Sequence, residues 1–118
     1  MQRLLLKSKI HRARITDANL EYEGSISIDK GLMDEANILP YEKVSVWDVN
    51  NGSRFDTYAI VAPENSGDII VNGAASRLVQ INDLIIIATF ALYDVEEISG
   101  FTPKLVYVTD KNKIIKKS

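Results

Sequence analysis

Apolar residues recur mostly at every second position of this chain, and the period changes often. Leu4, Leu6 and Ile10 alternate with Arg3, Lys7, Lys9 and His11, which predicts a first strand with one wet face. Lys9 and His11 stand two apart and share that face. Ile26 and Ile28 alternate with Ser25 and Ser27 in a second strand. DKGLMDEANIL predicts the one clear helix: Asp29 can cap it, Leu32, Met33 and Ala36 fall on one face, and Asn37 and Pro40 close it. VSVWDV, then Asn51-Gly52, then SRFDTYAIVA predicts a hairpin, because both central residues of a type I′ turn need positive φ. Arg54, Asp56 and Tyr58 share one face of its second arm, and Thr57 takes the other. DIIVNGAASRLV reads as a strand running through a turn into a short helix, DLIIIATFALYD as a fully apolar strand and KLVYVTD as the last strand. The basic tail KNKIIKKS reads as a solvated, frayed end. Many short strands with few helices point to a small β-barrel or sandwich.

Length and composition narrow the function more than the fold. A chain of 118 residues, 46% hydrophobic and 25% charged, is one globular domain (1–118) with a real core. A net charge of −2 gives no global field for nucleic acid or an anionic membrane, and neither is expected as a partner. The absence of cysteine excludes disulfides, thiolate metal sites and cysteine nucleophiles, and suits a reducing cytosol. The start, MQRLLLKSKIHR, has three leucines before its next charge and reads as neither signal peptide nor membrane span. A cytoplasmic location is the expectation. One histidine with no ligand spacing around it gives no metal site. There is no G-x-S-x-G elbow, and GDIIVNGAAS lacks the Lys-Ser/Thr ending of a phosphate loop.

What remains is polar chemistry placed on strands. In LEYEGSISID the Gly24-Ser25 step means little alone, since Gly52-Ser53 is a second such pair that the hairpin explains. The NGAA stretch, Asn72 to Ala75, offers a glycine and small side chains where backbone N–H groups can approach a ligand. Taken singly, Lys9 and Arg54 read as solvated strand residues, His11 as a surface or satisfied histidine and Tyr58 as a half-buried barrel tyrosine.

Together, KIHRARIT (9–16), YEGSISID (22–29), NGSRFDTYAI (51–60) and VNGAA (71–75) resemble the pyruvoyl-dependent aspartate 1-decarboxylases in order and spacing, from about residue 3 to Val108. The resemblance implies a mainly β fold, a small six-stranded double-psi β-barrel with short helices, assembled as a homotetramer whose neighbouring subunits share active sites. It implies self-cleavage at Gly24-Ser25 into chains 1–24 and 25–118, with or without a maturation factor. Ser25 then becomes a covalent pyruvoyl group that forms a Schiff base with L-aspartate and yields β-alanine for pantothenate. By resemblance Tyr58 donates the proton, while Thr57, Gly73, Ala74 and Ala75 contact the substrate. Thr57 also matches a position near the cleaved bond, Arg54 and Lys9 match positions that handle substrate carboxylates, and His11 and Asn72 match supporting polar positions. The alternative is a barrel kept only as a binding module. Retention of Ser25, Tyr58, Arg54 and Lys9 together speaks against it.

Overall fold

Eight strands and two short helices make up the computed structural model, which describes residues 1–115. They are β1 (Gln2–Arg14), β2 (Asp17–Asn19), β3 (Ser25–Asp29), α1 (Lys30–Glu35), β4 (Lys43–Asp48), β5 (Arg54–Ala62), β6 (Ile69–Asn72), β7 (Leu84–Asp94), α2 (Val95–Ile98) and β8 (Lys104–Tyr107). The strand order is β2-β6-β3-β5-β4-β7-β1-β8. Six strands were expected. The inner six carry the sheet, and the short β2 and β8 are added at its two ends, each in parallel pairing.

β3 pairs parallel with β5, in register from Ile26↔Ala59 to Asp29↔Ala62, and antiparallel with β6, starting at Ser25↔Asn72. A parallel pair needs a crossover, and α1 with the β4–β5 hairpin supplies it. Inside lie β-branched side chains from five of the eight strands: Ile10, Ile26, Ile28, Val44, Val46, Ile69, Val71, Ile85 and Ile87, each fully buried, with Leu32 and Met33 of α1 against them. Each such burial contributes on the order of 1.5–3 kcal/mol before ordering costs. As expected, Asp29 caps α1, its Oδ1 accepting from Gly31 N at 2.8 Å. The same carboxylate accepts from Asn65 N and Gly67 N, so it also ties the β5–β6 loop to the end of β3.

Three local expectations change. β1 is longer than its alternation suggested, with bulges after Leu6 and Ile10. Its outer half leaves the core, so Leu4 pairs with Leu92 on an exposed two-stranded ribbon. The hairpin forms with Trp47↔Arg54 as its last pair, but its turn is not type I′. Gly52 alone has positive φ, because Asp48 Oδ1 accepts from Asn50 N and Asn51 N and winds the loop wider. The tail is tied down as far as Ile115. Asn112 is buried and Val108 bridges Ile114, while residues 116–118 lie outside the described residues.

Candidate active site

Ser25 opens β3 and is 2% exposed, although Gly24 before it is open to solvent. Its hydroxyl donates to Glu23 O at 3.1 Å and accepts from Asn72 Nδ2 at 3.1 Å. Asn72, also buried, reaches Ser25 because the two are register partners on β3 and β6, and it donates to Ser27 Oγ as well. Gly73 follows at φ +77°, where a Cβ would lie 2.7 Å from Gly24 Cα. Position 73 therefore admits no side chain, both for its dihedral and because the Gly24 backbone occupies the space. At Gly24 itself a Cβ would meet nothing within 4 Å, and its φ is not positive. A strained dihedral is therefore not what holds a glycine there. Ala74 and Ala75 continue into a 3₁₀ turn (Gly73–Leu78), Ala74 exposed and Ala75 packed against the core.

β5 supplies the second wall. Continuing the parallel register back from Ile26↔Ala59 puts Tyr58 level with Ser25 and Thr57 level with Gly24. The predicted alternation holds: Arg54, Asp56 and Tyr58 face outward, and Thr57 is half-buried on the opposite face. The Tyr58 ring, 36% exposed, lies 6.3 Å from the ring of Tyr41 at an angle of 36°. Arg54 stacks its guanidinium 4.4 Å over the Trp47 ring, a cation–π contact that leaves the donor fork free to turn outward. Asp56 between them is held by Ser45 Oγ at 2.9 Å and Lys43 Nζ at 3.6 Å. A cavity of about 410 Å³ opens on this face, lined by Trp47, Arg54, Asp56 and Phe90 among others.

Lys9 and His11 lie elsewhere in the chain's own fold, on β1 between β7 and β8. Both are half-buried, less exposed than the wet face expected from sequence, because β8 pairs along this part of β1. His11 packs edge-on to Tyr107 at 5.7 Å. Burial, then the charges of Lys9 and Arg12, hold its imidazole below the ordinary value of 6.5. Its Nδ1 is enclosed without a hydrogen-bond partner among the described residues. Among the described residues no cluster of three or more metal-ligating side chains exists.

The chain matches the aspartate decarboxylase family over residues 1–115. It belongs to that family. Among its relatives is the aspartate 1-decarboxylase of Thermoanaerobacter pseudethanolicus, 58% identical over 113 residues, 96% of this chain and 97% of the relative. The aspartate 1-decarboxylase of Syntrophus aciditrophicus is 58% identical over 114 residues, 97% of this chain and 98% of the relative. The rationally designed protein mkDPBB_sym_86 matches in structure with a TM-score of 0.50 at 13% identity, covering 65% of this chain and 90% of that one. That likeness is one of fold and agrees with the double-psi barrel.

Set beside the aspartate decarboxylase family, the fold gathers Gly24, Ser25, Asn72, Gly73, Thr57 and Tyr58 around one strand end, and leaves Arg54, Lys9 and His11 apart from it within one chain. Arg54 is four residues from Tyr58, roughly 13 Å along an extended strand. Two contacts escaped the sequence reading, Trp47 beneath Arg54 and Tyr41 beside Tyr58. The first could have been found from the hairpin register, which pairs 47 with 54.

Proposed function

We propose that this chain cuts itself between Gly24 and Ser25 and then converts L-aspartate to β-alanine and CO₂, a lyase step that supplies the pantothenate route. Membership of the aspartate decarboxylase family over residues 1–115 carries the reading. The residues suit the group that the family implies. Ser25 Oγ is buried and gripped by Asn72, and Gly73 brings the Gly24 backbone against the start of β6's turn, a cradle that a Cβ would fill.

In self-cleavage Ser25 Oγ attacks the Gly24 carbonyl carbon, shifting the acyl group from nitrogen to oxygen. Asn72 Nδ2 fixes the hydroxyl oxygen and Glu23 O holds its proton before transfer. Thr57, level with Gly24, offers a hydroxyl for the developing oxyanion. Loss of the Ser25 α-proton breaks the ester's Cβ–O bond, freeing Gly24 as a carboxylate and leaving dehydroalanine at position 25, which water converts to a pyruvoyl group with release of ammonia. Its carbonyl supplies an acceptor for the electrons released with the α-carboxylate. Tyr58 gives the proton that replaces CO₂. Thr57 and the backbone of Gly73, Ala74 and Ala75 line the substrate, with Asn72 and the neutral His11 in support. Arg54, with a fork suited to bidentate capture, and Lys9 hold the carboxylates.

The distance of Arg54 from Ser25 within one chain favours an assembly in which the Trp47–Arg54 face serves a neighbour's Ser25, and the family resemblance makes that assembly a homotetramer. The exposed ribbon of Leu4, Phe90 and Leu92 favours burial against another copy. No helix of the described residues is long and apolar enough to cross a membrane, and cysteine-free composition suits the cytoplasm.

Intact-mass analysis of the purified protein, paired with CO₂ release from L-aspartate, tests the proposal. The expected result is two fragments, 1–24 and one beginning at position 25 with a blocked pyruvoyl end, and both should be lost in Ser25→Ala. A single uncut mass under all conditions, with no CO₂ released, would sink it. Reappearance of the cut only in a cell extract would assign a maturation factor.

A further inference from the structure

Tyr41 occupies a position whose backbone is made for another residue. Leu39-Pro40-Tyr41-Glu42 closes as a four-residue turn, with Glu42 N donating to Leu39 O at 3.1 Å, proline second and a positive φ of 70° third. That is the pattern of a type II turn, whose third residue is ordinarily glycine or asparagine. A bulky side chain there is a genuine outlier and persists only where its surroundings over-determine it.

The surroundings do so. Lys7 Nζ, from β1, reaches Asn37 O at 2.7 Å and Glu42 Oε2 at 2.6 Å. Glu42 Oε1 accepts from Leu39 N, and Ile38 is anchored in the core. Tyr41 N donates to Ala59 O at 2.7 Å while Ala59 N donates to Glu42 O at 3.0 Å, so the turn is bolted to β5 one residue beyond Tyr58. Yet the Tyr41 side chain is 77% exposed and draws little from the core. Among the described residues its one ring contact is with Tyr58.

We infer that Tyr41 is a positioning residue, an aromatic wall that fixes the Tyr58 ring at the mouth of the site. The inference rests on the reading of Tyr58 as proton donor. An offset or tilted ring pair at this separation restricts the partner ring, which otherwise swings freely on an open strand face. Holding the phenol in one orientation raises the fraction of molecules ready to protonate and leaves substrate capture to other groups. The turn accepts Asn or Gly at 41 without strain, so the test variant folds.

Tyr41→Asn, Tyr41→Phe and Tyr58→Phe are compared with the natural protein in processing, kinetics, thermal stability and NMR of ¹³C-tyrosine-labelled samples. The Tyr58→Phe spectrum identifies the Tyr58 ring signals. Expected for Tyr41→Asn are complete cleavage at Gly24-Ser25, an unchanged or higher Tm, a fall in kcat of about 2- to 12-fold with KM nearly constant, and shifted Tyr58 ring signals. Tyr41→Phe keeps the ring and should restore both kcat and the signals. Natural kcat or unmoved Tyr58 signals in Tyr41→Asn would overturn the inference, as would equal losses in Tyr41→Phe and Tyr41→Asn. Full activity in Tyr58→Phe would remove the donor reading beneath it, while the NMR comparison still decides the contact itself.

Discussion

Two glycines that look alike in the sequence carry different duties. Gly73 is forced by a φ of +77° and by Gly24 Cα lying where its side chain would go. Gly24 has open space around it. Gly73→Ala is expected to push the Gly24–Ser25 bond out of place and leave most of the chain uncut in a mass-spectrometric time course. Gly24→Ala should fold as before by thermal denaturation, with any effect confined to the rate of cutting. Ser25, Arg54 and Tyr58 stand out in the sequence as candidates because their blocks are distinctive. The sequence could not reveal that Asn72 grips Ser25, since that bond spans 47 residues and depends on the β3/β6 register. Nor could it reveal Tyr41, whose meaning lies in a turn type and a ring on another strand.

Asp48 shows how one side chain shapes an element. It is buried beneath the hairpin loop, with no hydrogen-bond donor to Oδ2 among the described residues, and its ionisation is pushed above the ordinary 3.8 by burial and then by Asp83. A raised native value means that the native chain binds more protons than the unfolded one over this window. Its contribution is therefore full below about pH 3.8 and is lost as pH rises through the raised value. Asp48→Asn keeps an oxygen for Asn50 N and Asn51 N and removes the charge. The expected outcome is a Tm higher by a few degrees at pH 7, with a smaller gain near pH 4.

At the same scale, Asn112 pins the tail. Its amide accepts from Arg14 N at 2.7 Å and donates to Arg14 O and Gly67 O, each at 2.8 Å. Asn112→Ala strands those buried backbone groups and should cost about 2–4 kcal/mol, seen as a fall in Tm of roughly 10–20 °C. The lysines around Asn112 make the stretch read as solvated, and composition cannot flag a single buried amide among them. The helix cap at Asp29 and the hairpin arms were readable because their signals are local. The hairpin's turn was misread because a side chain, Asp48, set its width.

On the scale of the whole molecule, the alternating pattern was enough for a small β-barrel, while pairing partners far apart in sequence were not in it. Parallel pairs such as β1 with β8 join residues nearly a hundred positions apart. The proposed homotetramer of 13.2 kDa chains should sediment near 53 kDa, and Leu92→Glu on the exposed ribbon should shift it toward smaller species.

β1 is zipped on both edges, to β7 along most of its length and to β8 at its inner half. If the chain is cut after Gly24, that strand remains seated as a separate peptide, and unfolding changes molecularity. One chain becomes two, so the melting temperature of the mature protein should rise more steeply with concentration than that of uncut Ser25→Ala, whose unfolding releases only whole chains. Dilution after melting would then strand a barrel without its first staves, giving the mature form a memory of its own synthesis that the precursor does not need.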